Sequence, residues 1–131
     1  MKVTVDTNVL VRGVVRDDEA QARAADKVLK EASLIAVSLP CLCEFIWVLR
    51  RVYSFGTVDI AAAIRALIAT DKVVMNRPAV EAGLAILEAG GDFADGVIAY
   101  DGTWLGAETF VSFDRKAVSL LTKQGQAARM P

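Results

Sequence analysis

Lys2-Val3-Thr4-Val5-Asp6-Thr7-Asn8 is the stretch of sequence that decides the fold. Its first four residues have the length and apolar character of a short buried strand. An acid follows directly, and open α/β sheets bind their ligands at the carboxyl ends of strands. The stretch therefore predicts an α/β sheet with an acidic site where its first strand ends.

Strand and helix patterns alternate along the rest of the chain. Three more strands are predicted, at Leu34 to Val37, Val73 to Met75 and Thr109 to Phe113. Six helices are predicted from their start signals, namely a cap at Asp17 or Asp18, Ser38 with Pro40, a cap at Thr57, Pro78, a cap at Asp92 and Asp114. The second of these helices is predicted to end at Gly56. This alternation is typical of a mainly parallel sheet of four to five strands with helices on both faces. The tail, Ala127 to Pro131, is either a short edge strand or disordered.

Composition limits the possible classes of protein. The 131 residues suit a single domain covering 1–131. A net charge of −1 gives no general attraction for nucleic acid, so such a partner would need a local basic patch. No apolar run reaches the roughly 18 residues of a membrane span, and Asp6 comes too early for a signal peptide. We expect a cytoplasmic protein with no membrane contact.

The chain has no histidine and two cysteines, Cys41 and Cys43. The cysteines are two positions apart, so on a helix they face different directions and suit neither a mutual disulfide nor a zinc site. They are expected to be small buried residues. Hydrolytic chemistry would have to use carboxylates, and clustered carboxylates require a hard cation such as Mg²⁺ or Mn²⁺.

Four acidic segments supply such carboxylates, in the order V-D-T-N-V-L (5–10), P-C-L-C-E (40–44), G-D-F-A-D (91–95) and S-F-D-R-K (112–116). Asp6 and Asp114 follow strands, Asp95 lies in the first turn of a helix, and Glu44 lies one turn into another, so all four are expected to converge. Each Asp has a structural alternative as a turn or helix cap, and Asp95 as part of a capping box. Glu44 has apolar neighbours, which predicts that it lies on a buried side and needs a partner.

The four segments, in this order and in a chain of this length, resemble PIN-domain ribonucleases, and more closely the VapC toxins of toxin–antitoxin pairs. The resemblance covers nearly the whole chain and also rests on Trp47-Val48-Leu49 and Ile98-Ala99. It implies a three-layer α/β/α fold. Gly96 departs from the alanine frequent in the family and is expected to weaken its helix, and Gly102 is expected to let that helix fray.

The resemblance also implies roles for individual residues. Asp6 and Asp95 would be direct Mg²⁺ ligands, and Glu44 and Asp114 would bind a second metal or orient water. Supporting hydrogen bonds to the carboxylates or to a substrate phosphate would come from Thr7, Asn8 and Ser112. RNA-backbone contacts are expected from Arg12, Arg16, Arg50, Arg51, Arg115 and Lys116. For Arg50 and Arg51, an ordinary solvated surface is an equally good interpretation.

The implied reaction is in-line attack of a metal-activated water on an RNA phosphodiester, leaving 5′-phosphate and 3′-hydroxyl ends. The implied partners are RNA and a cognate antitoxin that reaches the acidic site with an arginine. Mean hydropathy is high, at +0.40. The aromatic residues, Trp47 and Trp104 among them, exceed what one small core easily hides, so a homodimer is also expected.

Three other classes of protein remain as alternatives. A receiver-type phosphorylation domain needs adjacent acids after its first strand, where Asp6 stands alone. A haloacid-dehalogenase-like phosphatase needs a second Asp two residues after the first, where the chain has Asn8. The alternative that is not an enzyme is a PIN-like domain with a decayed site that binds RNA or protein.

Overall fold

A computed structural model describes residues 1–131 as two units, Met1–Asn76 and Arg77–Pro131. The first unit contains β1 (Lys2–Thr4), α1 (Thr7–Val14), α2 (Glu19–Glu31), β2 (Leu34–Ala36), α3 (Leu39–Arg51), α4 (Thr57–Ile68) and β3 (Val73–Val74). The second contains α5 (Arg77–Glu88), α6 (Phe93–Trp104), β4 (Phe110–Val111), α7 (Arg115–Lys123) and β5 (Ala128–Arg129). None of these helices has both the length and the apolar character needed to cross a bilayer.

All strand pairs are parallel, as the alternating pattern predicts. In the first unit the order is β1-β2-β3, with Val3 opposite Ile35 and Ile35 opposite Val73. In the second unit β4 pairs with β5, with Phe110 opposite Ala128. The tail therefore forms the short strand, which was one of its two predicted states, and the α/β class is confirmed.

Helix α3 shows how the sequence positions the first unit. Ser38 caps it by accepting a hydrogen bond from the Cys41 backbone N–H, and Pro40 lies in its first turn, where a missing N–H has no cost. Its apolar residues recur at helical spacing and are buried in the core with β2 and α4, namely Leu42, Phe45, Ile46 and Leu49 with Ile35, Ile60 and Ile64.

Several features of the first unit differ from the sequence prediction. Residues Thr7–Val14 form helix α1, although only a cap or turn was predicted there. Helix α3 ends at Arg51, before Gly56, and Gly56 rather than Thr57 is the N-cap residue of α4. Tyr53 and Phe55 lie in the resulting connection, where both are half-buried.

In the second unit, helices α5 and α6 pack closely through glycine. A Cβ atom on Gly96 would lie 2.5 Å from the Ala82 carbonyl oxygen and 2.8 Å from Gly83 Cα. Gly96 is therefore required by the approach of two backbones, a role that the sequence did not indicate, and the predicted cost of a glycine to its helix stays a prediction. Helix α6 also continues past Gly102 to Trp104.

Candidate active site

Asp6 lies where β1 ends and also caps α1. Its Oδ1 accepts the backbone N–H of Thr7 at 2.7 Å, while the residue as a whole is exposed to solvent. The predicted cap and the predicted site residue are thus the same side chain. Capping uses one carboxylate oxygen and leaves the second available.

Thr7 links Asp6 to Glu44. The Thr7 side chain is buried, and its Oγ1 donates a hydrogen bond of 3.0 Å to Oε2 of Glu44. Glu44 itself is exposed, so the prediction that it lies on a buried side is wrong. The α3 face that carries Glu44 turns outward, opposite the apolar residues that surround it in the sequence. One buried hydroxyl therefore fixes one oxygen of an otherwise solvated carboxylate.

Asp6 and Glu44 line a cleft of about 340 Å³, together with Ser38, Pro40 and Cys41. Burial raises the pKa of the Cys41 thiol; a hydrogen bond with Thr7 lowers it, and the charges of Asp6 and Glu44 raise it further. A protonated, buried thiol is a poor nucleophile and a poor metal ligand. Neither Ser38 nor Cys41 was predicted to belong to the site, although Cys41 lies within the P-C-L-C-E segment and Ser38 lies two residues before it.

In the second unit, Asp92 and Asp95 lie at the start of α6. Asp92 is the helix cap, and its Oδ1 accepts the Ala94 backbone N–H at 3.0 Å, as predicted. The Asp95 carboxylate accepts no hydrogen bond, so it does not complete a capping box. Burial raises the pKa of Asp95, and the negative charges of Asp92 and Asp114 raise it further. Asp95 thus lies in an environment that favours either a proton or a cation.

Asp114 caps α7. Its Oδ1 accepts the backbone N–H groups of Lys116 and Ala117 at 3.0 and 3.1 Å. Ser112 was predicted to bond to the carboxylates or a phosphate, but its Oγ accepts the backbone N–H of Asp114 at 3.0 Å. Ser112 therefore positions the main chain of Asp114. Asn8 is exposed and makes no side-chain hydrogen bond to a carboxylate, so its predicted role stays a prediction.

The predicted RNA-binding side chains fall into two groups. Three have partners within the chain: Arg12 binds Asp17, Gln21 and Tyr53, Arg16 binds Asp26 through two nitrogens, and Arg50 donates to Thr57. The other three are exposed and make no hydrogen bond or ion pair, namely Arg51, Arg115 and Lys116. The second group is better placed to accept a phosphate.

The PIN domain family model matches residues 3–119. The chain belongs to the PIN domain family. This assignment supports the three-layer α/β/α class, and proteins of the PIN family are generally nucleases that use divalent metal ions. The match extends over both units, and the single-domain reading stays a prediction. No curated protein matches the chain.

The structure contains no group of three or more Asp, Glu, His or Cys side chains in an arrangement that could hold a metal ion. The donor chemistry within each unit still suits a hard cation. Asp6 and Glu44 offer carboxylate oxygens at one cleft, and Asp95 has a raised pKa next to two further carboxylates.

Proposed function

We propose that this PIN-domain protein is a Mg²⁺- or Mn²⁺-dependent endoribonuclease that acts as the VapC-type toxin of a type II toxin–antitoxin pair. The observation that carries the proposal is the Asp6–Thr7–Glu44 arrangement at an open cleft, in a chain that belongs to a nuclease family. The chain has no histidine, and carboxylates are the charged oxygen ligands with which it could hold a hard cation for hydrolysis of a phosphodiester.

Two carboxylates of each unit are the proposed metal ligands: Asp6 and Glu44 in the first unit, and Asp95 and Asp114 in the second. When bound, the divalent cation would activate a water molecule and stabilise the charge that develops on the phosphate. Thr7 holds Oε2 of Glu44 and leaves Oε1 free to bind or to orient water. Burial and the charges of Asp92 and Asp114 raise the pKa of Asp95, so a cation bound next to it would favour its ionised form.

The carboxylates of the cleft repel a phosphate backbone, so RNA has to be held by residues that flank them. Basic side chains without a partner in the chain are the proposed contacts. By resemblance to VapC toxins, the proposed products have 5′-phosphate and 3′-hydroxyl ends, and the proposed location is the cytoplasm.

A homodimer and an antitoxin are the proposed protein partners. Leu105 and Phe113 are 89% and 81% exposed, and Ile98 is 57% exposed, which supports a covered apolar surface on the second unit. An antitoxin arginine would pair with a carboxylate of the acidic site, because the planar guanidinium binds carboxylates through two hydrogen bonds.

The toxin role is tested in cells. Induced expression of the chain should arrest growth, expression of the adjacent small open reading frame should restore it, and Glu44→Gln should be harmless. An antitoxin variant whose inhibitory arginine is replaced by alanine should still bind the chain but leave the nuclease active. Growth arrest by Glu44→Gln as strong as by the wild type would contradict the proposal.

A further inference from the structure

Helix α3 carries a continuous exposed face that starts at the acidic cleft. Pro40, Glu44, Trp47 and Arg51 are spaced four, three and four residues apart, so they lie within about 60° of one another around the helix axis. All four are exposed, while the core residues of α3 occupy the opposite side. Pro40 and Glu44 also line the cleft, so this face leads directly out of it.

The chemistry of the face changes with distance from the cleft. Trp47 lies about 4.5 Å beyond Glu44 along the helix axis, and Arg51 lies about 10.5 Å beyond it. Trp47 is 60% exposed even though α3 already fills the core with other side chains. The Arg51 side chain makes no hydrogen bond or ion pair. Its neighbour Arg50 is turned about 100° away and donates to Thr57 at 3.2 Å.

We propose that this α3 face, formed by Glu44, Trp47 and Arg51, is the track for unpaired RNA, with one base stacked on Trp47 and a phosphate on Arg51. The proposal rests on the nuclease function proposed above. Arg51 lies about 6 Å beyond Trp47 along the helix axis, so the base on Trp47 would lie between the cleft and the phosphate on Arg51. Aromatic rings hold successive bases without reading their sequence, and a base inside a duplex has no free face to offer.

Charge balance explains why stacking matters here. The net charge of −1 cannot draw RNA to the chain, and the carboxylates of the cleft oppose its phosphates. Stacking on Trp47 supplies attraction that does not depend on charge. Arg51 lies far enough from Glu44 for each to act on a different phosphate. The strand would thus be held next to the carboxylates rather than by them.

A protein partner fits this face less well. One tryptophan offers at most about 250 Å², whereas a standard interface buries about 800 Å² on each side. Here the single large apolar side chain lies between two charged residues, which a protein interface would have to desolvate. A single RNA strand, with its flat bases and charged backbone, matches a face on which an aromatic ring lies between charged side chains.

The first test uses the fact that the chain has only two tryptophans. In an Asp6→Asn background, which prevents hydrolysis, Trp104→Phe leaves Trp47 as the sole tryptophan. Its fluorescence should be quenched by a single-stranded oligonucleotide in magnesium and unaffected by a duplex of the same sequence. The matched variant Trp47→Phe, which reports only Trp104, should show no quenching.

The second test separates stacking from charge through the salt dependence of the affinity. In the same background, Trp47→Ala should raise the Kd for single-stranded RNA by roughly 5- to 100-fold at every salt concentration and leave the salt slope unchanged. Arg51→Ala should reduce that slope by about 0.7, the value for one phosphate contact on a single strand. Arg23→Ala removes an exposed arginine of α2 and should change neither quantity. Unchanged melting curves would show that the variants fold.

Three results would overturn the inference. The wild type could cleave RNA while Trp47 fluorescence does not respond to RNA and the Trp47→Ala variant cleaves at the wild-type rate. That result would refute the track and leave the nuclease function intact. A Trp47→Ala variant that turns a dimer into a monomer without a change in RNA affinity would assign the face to a second copy. Absence of any RNA binding or cleavage would remove the proposed function and the track together.

Discussion

Gly96→Ala and Gly102→Ala form a matched pair within helix α6 and should change stability in opposite directions. Alanine is favoured over glycine in a helix by about 1 kcal/mol, and both variants receive that gain. Only Gly96 faces another helix. Its new Cβ would lie 2.5 Å from a backbone oxygen and 2.8 Å from a backbone carbon of α5, whereas the nearest atom to a Cβ on Gly102 is Ala107 Cβ at 3.9 Å.

The size of the stability loss in Gly96→Ala depends on which parts of the structure must move to make room for the new Cβ. Contacts below 3.0 Å with backbone cannot be relieved by a rotamer change, so α5 and α6 must separate, at an overpacking cost of about 3 kcal/mol. Gly96→Ala should therefore be destabilised by about 2 kcal/mol after its propensity gain. Gly102→Ala should be stabilised by about 1 kcal/mol.

Thermal unfolding followed by far-ultraviolet circular dichroism measures both variants. At about 4 °C per kcal/mol for a chain of this size, the two melting temperatures should differ by about 12 °C, with the wild type between them. Because helix propensity cancels in the comparison, the difference reports the close approach of α5 and α6 alone. A Gly96→Ala variant as stable as Gly102→Ala would refute the reasoning.

Three further predictions concern the acidic side chains. The raised pKa of Asp95 means that the folded chain binds this proton more tightly than the unfolded chain, so the stability that the proton contributes is present below about pH 3.9 and is lost as pH rises through the folded-state pKa. Asp95→Asn should have a higher melting temperature than the wild type at about pH 7 without metal, and this difference should disappear at about pH 3. Equal melting temperatures of the two proteins at both pH values would contradict the raised pKa of Asp95. Thr7→Val should lower stability by only about 1 kcal/mol, because Glu44 is exposed, but should reduce RNA cleavage by about 10- to 100-fold; unchanged kcat/KM would exclude a role for the hydroxyl. Magnesium at a hundredfold excess over its Kd should stabilise the wild type by about 2.7 kcal/mol and Asp6→Asn by less, and equal shifts would place the cation elsewhere.

Local signals in the sequence were enough to predict most of the elements. Ser38 and Pro40 mark the start of α3, and apolar spacing marks the face that it buries. Helix α1 was missed because Thr7–Val14 is rich in β-branched residues and contains Gly13, both poor in helix propensity. Tertiary packing stabilises the helical conformation of that segment, since Leu10 and Val11 are buried.

The order of the four acidic segments predicted which carboxylates form the site, and that set stays a prediction. The contacts of these side chains could not be predicted. The bond from Thr7 to Glu44 joins residues 37 apart in the chain, which no local pattern reveals. The exposure of Glu44 was misjudged because apolar sequence neighbours on a helix point in other directions. The need for glycine at Gly96 depends on the position of α5, which composition does not contain.

Hydrolysis of single-stranded RNA by the purified chain tests the central claim most directly. Cleavage should require magnesium or manganese, stop in EDTA, and be lost in Asp6→Asn and Asp95→Asn while their circular dichroism stays that of the wild type. A folded wild type that leaves RNA intact in both metals would favour a binding module with a decayed site. Cleavage that persists in EDTA, or full activity in both variants, would contradict the account.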